Sequence, residues 1–120
     1  MCRVRTGRRP WLDAPPSDTL GGMIRHILVL QQRAGATPEA IEACRVGLGA
    51  LVGVIPGLID CHWGQNIAPE ERRGGFTHGF TMDFADRESL DAYGPHPQHQ
   101  VAAARVRAAF ERIAVFDFVL

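Results

Sequence analysis

The sequence has no lysine, since all 13 of its basic residues are arginine. Schiff-base chemistry and a phosphate-binding P-loop both need a lysine amine, so both are excluded. The formal net charge is zero, because 13 acidic residues balance the arginines. A nucleic-acid-binding domain normally carries a clear excess of positive charge. Composition therefore argues against a nucleic-acid partner, and nothing in it indicates a cofactor.

Cysteines are few, and long apolar runs are absent. Cys2, Cys44 and Cys61 are widely spaced and form no CxxC pattern. An odd, scattered set of thiols predicts a reduced, cytoplasmic protein without a disulfide framework. No apolar run approaches the roughly 20 residues that span a membrane, so we expect no membrane partner. The length of 120 residues fits one domain.

Residues 1–22 differ in composition from the rest of the chain. They are rich in arginine, proline and glycine, and the Arg8-Arg9 pair is not followed by the apolar segment of a secretion signal. We interpret 1–22 as a flexible arm, or as sequence upstream of a true start at Met23. The folded domain is predicted to span residues 23–120.

From Met23 onward, the hydrophobic periodicity predicts the order strand, helix, strand, strand, helix, strand. Thr37 and Asp86 are predicted helix N-caps, and Pro38 and Pro97 suit first helical positions. The predicted strands are 24–32, 58–65, 77–84 and 113–120, and the predicted helices are 38–52, 87–94 and 97–112. This βαββαβ order is typical of an α+β, ferredoxin-like protomer, with a four-stranded antiparallel sheet and helices on one face.

The first strand is apolar on both faces, although helices can cover only one of them. Ile24, Leu28 and Leu30 lie on one face, and Ile27 and Val29 lie on the other. The last strand repeats this pattern. Because a monomer with a large exposed apolar sheet would be unusual, we predict a homodimer closed through its sheet faces, a dimeric α/β barrel.

The segment Tyr93-Gly-Pro-His-Pro-Gln-His99 places a phenol and two imidazoles at the start of a helix. His99 falls in the first turn, where the positive end of the helix dipole disfavours a second positive charge. A neutral imidazole can accept a proton. Helical spacing puts His99 on the apolar stripe that continues through Ala102, Val106 and Phe110, so its ring is predicted to face the sheet. The alternative is a helix start with two idle histidines.

Strand periodicity predicts that two further histidines lie in the same layer, between the sheet and the helices. His26 and His78 each share a strand face with apolar residues, and both are predicted to converge on Tyr93 and His99. Each buried polar side chain needs a partner or costs free energy, which favours a functional cluster. For His26 alone, a core histidine with a satisfied hydrogen bond is the favoured interpretation. His26 and His78 lie near the starts of antiparallel strands, so the alternative is that they lie at opposite ends of the sheet.

Metal binding is the other common use of histidines. His96 and His99 at i, i+3 could supply two ligands, with His26 or His78 as a third. No aspartate, glutamate or cysteine stands at ligand spacing beside them, so we predict no metal site. The cysteines lack an activating partner, and His62 is predicted to be solvated or on an edge strand.

Ordered motifs across residues 23–120 resemble the stress-responsive dimeric A/B barrel (Dabb) family. The resemblance rests on these segments: Met23-Ile-Arg-His-Ile-Leu-Val-Leu, Ile55-Pro-Gly, Trp63-Gly, Gly75-Phe-Thr-His, Met82-Asp-Phe, Tyr93 through His-Pro-x-His99, and Phe116-Asp-Phe-Val. The family fold is a ferredoxin-like protomer that dimerises through its sheets, which agrees with the expectation from periodicity.

The resemblance also implies candidate roles for single residues. In a plant polyketide cyclase of the family, a histidine base and a tyrosine partner fall on His99 and Tyr93 here. Strand histidines of that cyclase fall on His26 and His78, and a pocket tyrosine falls on Leu48. We therefore predict a catalytic pair of His99 and Tyr93, and a ligand-binding set of His26, His78, Leu48, Phe80 and Phe110.

Two functions follow as alternatives. The first is a dimeric Dabb protein that binds a small hydrophobic or β-keto ligand without established catalysis. The second is a cofactor-independent enzyme that performs an aldol cyclisation, with His99 as general base and Tyr93 as its partner. An oxygenase of the same fold finds little support in the residues. A ligand-sized space beside Tyr93 and His99 would favour both functions, and its filling by Leu48 and Phe110 would exclude both.

Overall fold

The computed structural model describes residues 22–120, so the predicted arm lies outside the described residues except for Gly22. The helices and strands follow the predicted order. They are β1 (Ile24–Gln32), α1 (Pro38–Gly49), β2 (Leu58–Gln65), β3 (His78–Phe84), α2 (Arg87–Tyr93), α3 (Pro97–Ala109) and β4 (Phe110–Val119). A single 3₁₀ turn, Glu70–Arg72, lies in the loop between β2 and β3.

The four strands form one antiparallel sheet in the order β2-β3-β1-β4. β1 lies in the centre and pairs with β3 and β4 along most of its length. This is a ferredoxin-like fold, as the βαββαβ order predicted. Side chains of alternate residues lie on opposite faces of the sheet. The inner face packs against the helices, and we call the opposite face the outer face.

The helix starts follow from local hydrogen bonding. The Thr37 hydroxyl accepts the backbone N–H of Ala40 at 3.1 Å, and Pro38 occupies the first turn. The Asp86 carboxylate accepts the N–H of Ser89 at 2.8 Å and caps α2. These bonds satisfy amide groups that have no partner inside the helix. Both capping residues were correctly predicted from the sequence.

The cap at Thr37 provides a test of local stability. Thr37→Ala removes the acceptor for the Ala40 N–H, and we expect a loss of about 1 kcal/mol in the free energy of unfolding. For a domain of this size that corresponds to a fall in Tm of about 4–8 °C. Thermal denaturation followed by circular dichroism measures the shift. Thr37→Ser keeps an acceptor oxygen and should retain most of the stability, and an equal loss in both variants would contradict the capping role.

The end of α3 differs from the prediction. The helix stops at Ala109 and β4 starts at Phe110, whereas the sequence predicted a helix to about Arg112. Phe110 has extended backbone angles and pairs with Gln32 of β1. Strand pairing therefore overrides the helical propensity of this arginine- and alanine-rich stretch. The ring of Phe110 is still buried, as its place on the apolar stripe required. Likewise α1 ends at Gly49, before the predicted end near residue 52.

The core lies between the inner face and the helices. It contains Ile24, Leu30, Cys44, Leu48, Leu51, Ile55, Leu58, Phe80, Met82, Phe84, Tyr93, Ala102, Val106, Ala109 and Phe110. The stripe on α3 is buried at Ala102, Val106 and Ala109, which confirms that this side of the helix faces the sheet. In the described part of the chain, no helix is long and apolar enough to cross a membrane.

The outer face of the sheet carries exposed apolar side chains that no other part of residues 22–120 covers. Phe116 is 64% exposed and Phe118 is 38% exposed on β4, and they pair with Ile27 and Arg25 of β1. Further along this face, Gly64 of β2 pairs with Gly79 of β3, so neither of these adjacent strands has a side chain at this position. The resulting depression has a volume of about 360 Å³, and we call it the glycine trough. Its outer-face lining residues are Ile27, Val29, His62, Gly64, Gly79 and Thr81.

Candidate functional site

One row of residues across the inner face carries the first part of the candidate site. Register places Cys61, Met82, His26 and Asp117 side by side on β2, β3, β1 and β4. The Nδ1 of His26 lies 2.5 Å from Oδ1 of Asp117. Because a carboxylate oxygen accepts, Nδ1–H is the donor and Nε2 remains the free ring nitrogen. His26 therefore has the satisfied hydrogen bond that was favoured for it alone.

Tyr93 and His99 lie above this row and contact each other. Their ring centroids are 4.1 Å apart, and the centroid of the His26 ring lies 5.9 Å from that of Tyr93. Phe84 packs against Tyr93 at 5.0 Å from below. We call His26, Tyr93 and His99 the histidine–tyrosine cluster. The structure thus brings together three of the four polar side chains that were predicted to converge.

The start of α3 orients the His99 ring. The Nδ1 of His96 accepts the N–H of Gln98 at 3.1 Å and caps the helix. The Nδ1–H of His99 donates to the carbonyl oxygen of Gly94 at 2.8 Å. A carbonyl can only accept, so the proton of a neutral ring lies on Nδ1 and the lone pair lies on Nε2. This is the tautomer that a proton acceptor at Nε2 needs.

Tyr93 is buried, yet its hydroxyl is not sealed inside the core. The residue is 4% exposed, and burial raises the pKa of its phenol well above the usual range. Its hydroxyl has no hydrogen-bond partner among the described residues. In the same part of the chain every fully buried side-chain oxygen has such a partner, so the Tyr93 hydroxyl is not fully buried. The exposed 4% therefore includes the hydroxyl. A phenol with a raised pKa stays protonated at neutral pH and acts as a hydrogen-bond donor.

The cluster opens toward β4. Asp117 is 40% exposed and Val115 is 55% exposed, although both lie on the inner face, so α3 leaves this part of the sheet uncovered. His99 is half-buried at the same side. Four clefts on the described surface are lined by other residues and not by Tyr93 or His99. None of these four clefts is the ligand-sized space expected beside Tyr93 and His99; the cluster instead borders the uncovered part of the inner face.

His78 lies away from the cluster. It pairs with Leu30, four residues along β3 from Met82, the partner of His26. At about 3.3 Å per residue, that separation is about 13 Å. The His78 ring instead packs against Trp63 at 5.7 Å and Phe110 at 5.6 Å between centroids. The expected convergence of four polar side chains is therefore wrong for His78, because antiparallel register puts the two strand histidines at opposite ends.

Leu48, Phe80 and Phe110 are core residues. They are 2%, 5% and 1% exposed. Phe110 packs against His78 and therefore lies at the end of the sheet away from the cluster. Their predicted ligand contacts remain a prediction.

Asp117 is the residue that sequence reasoning missed. It follows Val115 by two positions on β4 and so shares the inner face, but its contact with His26 depends on the register of β1 with β4.

Among the described residues, no group of three His, Cys, Asp or Glu side chains is placed to hold a metal ion. Cys61 borders the cluster, and burial beside the Asp60 carboxylate raises the pKa of its thiol to about 11. A thiol in that state is a poor nucleophile.

This fold and site define a ferredoxin-like protomer of the dimeric α/β-barrel type. The family model of the Stress responsive A/B Barrel Domain (Dabb) matches residues 24–120. The chain belongs to the Dabb family, which confirms the resemblance seen in the sequence motifs.

Named relatives agree with this assignment. The chain is 30% identical to the stress-response A/B barrel domain-containing protein HS1 of Arabidopsis thaliana, over 81% of this chain and 89% of that protein. It is 26% identical to olivetolic acid cyclase of Cannabis sativa, over 79% of this chain and 94% of the cyclase. A dimeric ferredoxin-like protein of unknown function from Jannaschia sp. CCS1 has 29% identity and a TM-score of 0.74, over 82% and 100% of the two chains.

Proposed function

We propose that the protein is a homodimer that binds a small apolar or β-keto ligand at the histidine–tyrosine cluster. The observation that carries the proposal is the contact of Tyr93 with His99, with ring centroids 4.1 Å apart and His26 alongside. A protonated phenol and an imidazole with its lone pair on Nε2 offer a donor and an acceptor in one place. The exposed Val115 beside them offers apolar contact.

A β-keto ligand suits these groups. Its carbonyl oxygens accept hydrogen bonds, which the Tyr93 hydroxyl can donate, and its C–H group between two carbonyls is acidic. His99 Nε2 can take that proton, because Nδ1–H is held by the Gly94 carbonyl. The Asp117 carboxylate fixes the His26 ring through Nδ1 and leaves its Nε2 for the ligand.

The second candidate function is an aldol cyclisation of such a ligand, favoured by the orientation of His99 and by the likeness to olivetolic acid cyclase. His99 would take a proton from the carbon between two carbonyls. The resulting enolate carbon would attack a further carbonyl of the same molecule, forming one C–C bond. The new alkoxide would then take the proton from the imidazolium. The resemblance aligns a pocket tyrosine of the cyclase with Leu48, and the loss of that hydroxyl would change the substrate that binds.

The proposed dimer joins two outer faces. Phe116 and the glycine trough lie on the same face of the protomer, one as a projection and the other as a depression. A two-fold axis that set each Phe116 over the partner's trough would form both contacts together. The protein from Jannaschia sp. CCS1, which is described as dimeric, supports a homodimer.

Histidine-ring NMR tests ligand binding at the cluster. Ethyl 3-oxoesters with alkyl chains of increasing length serve as probes. We expect the ring signals of His26 and His99 to shift in a saturable manner. His62 provides an internal control, because it lies on the opposite face of the sheet, beside the glycine trough of the proposed dimer interface. Shifts confined to His62, or no saturable shift with any probe, would overturn the proposal.

A further inference from the structure

A second cleft, of about 310 Å³, lies between α1 and the end of the sheet opposite the cluster. Its lining includes Trp63, His78, Gln32, Gln65 and Arg45. This volume is at the lower end of the range found for small-molecule sites. The cleft contains none of the residues of the histidine–tyrosine cluster.

An aromatic wall forms the inner side of the cleft. The rings of Trp63 and His78 lie 5.7 Å apart with an interplanar angle of 40°. Core rings hold them in place, since Phe80 stacks on Trp63 and Phe110 packs edge-on against His78. The indole is only half-buried, so part of its surface faces the cleft. Such preformed aromatic surface favours a planar ring.

The rim of the cleft offers both donors and acceptors. Arg45 donates to Glu42 through Nε only, and its two terminal nitrogens have no partner among residues 22–120. His78 is bonded to the Thr77 hydroxyl through Nδ1 at 2.9 Å, which leaves Nε2 for a ligand. Burial lowers the pKa of His78, so its ring is neutral at neutral pH. Glu42 already balances the charge of Arg45, so the rim carries no net charge to attract an ion.

We propose that this cleft is a second binding site, which takes a small planar aromatic molecule with an uncharged head group that both donates and accepts hydrogen bonds. The ring would lie against Trp63 and His78. The head group would accept from Arg45 and from the side-chain amide of Gln32 or Gln65. An aromatic primary amide has this chemistry. The site does not depend on the function proposed for the cluster, because about 13 Å of sheet separates His78 from His26.

Fluorescence of Trp63 tests the proposal with benzamide as the probe. The chain has two tryptophans, so the titration uses Trp11→Phe as the background, which leaves Trp63 as the sole indole. Ala36 lines the cleft, and Ala36→Phe fills it. Ala40 is exposed on α1 outside the cleft, so Ala40→Phe is the matched control. Neither substitution removes a side chain that forms hydrogen bonds.

We expect a saturable fluorescence change with benzamide that Ala36→Phe abolishes and Ala40→Phe retains. Arg45→Ala should weaken the affinity roughly tenfold, as expected for one hydrogen bond to a charged donor. His99→Ala should bind benzamide like the parent, which separates this site from the cluster. The proposal would be overturned by the absence of a saturable change, by tighter binding of benzoate, or by equal binding of cyclohexanecarboxamide.

Discussion

Replacing Phe116 by aspartate is expected to convert the protein from a dimer to a monomer. The Phe116 ring is 64% exposed in the protomer, and the proposed interface buries it in the partner's glycine trough. Burial of a phenylalanine stabilises by about 1.5–3 kcal/mol, and the two-fold axis counts it twice. The dissociation constant should therefore rise by about 100-fold or more. Sedimentation equilibrium measures the change directly.

Two further variants make this result specific. Val54→Asp introduces the same charge at an apolar residue that is 54% exposed and lies outside the sheet, and it should remain dimeric. Gly64→Leu fills the trough, and in the protomer a Cβ at this position meets nothing within 4 Å. The protomer should fold normally and fail to dimerise. Dimers of unchanged stability in both Phe116→Asp and Gly64→Leu would show that the two copies meet elsewhere or not at all.

Sheet periodicity made most of the fold predictable. Alternation in β1 correctly placed His26 and Leu28 on one face and Ile27 and Val29 on the other. Caps at Thr37 and Asp86 marked the helix starts. Helix ends were less predictable, because the pairing of Phe110 with Gln32 is a tertiary contact that local propensity does not contain. The helix predicted for the arginine- and alanine-rich stretch was therefore too long at its C-terminal end.

The candidate site was predictable only where its geometry is local. Tyr93 and His99 lie six residues apart around one helix start, so helical spacing placed them together. His26 joined them because strand alternation set its face. Alternation in β3 likewise sets the face of His78, but the distance of His78 from His26 depends on the antiparallel register of β1 and β3. The contact of Asp117 with His26 could not be predicted for the same reason, because only the pairing of β1 with β4 brings the two residues together.

Replacing His99 by alanine is expected to abolish proton transfer at the cluster. Loss of a positioned general base typically lowers a rate by about 10²–10⁴-fold. The measurement is the rate of base-catalysed deuterium exchange at C2 of an ethyl 3-oxoester, followed by proton NMR. Gln100→Ala is the matched control, because Gln100 also bonds to the Gly94 carbonyl but is exposed. Equal exchange rates in the parent and in His99→Ala would refute the general-base role and would leave ligand binding to be tested separately.

The histidine–tyrosine cluster is the central claim, and the single tyrosine of the chain allows a direct test. Labelling tyrosine alone gives one set of ring signals, which must come from Tyr93. Intermolecular NOEs between these ring protons and a bound ethyl 3-oxoester report their direct proximity. We expect NOEs to the ligand protons beside the two carbonyls. The absence of any NOE to the Tyr93 ring at a saturating ligand concentration would show that the ligand binds elsewhere or not at all, and would contradict binding at the cluster.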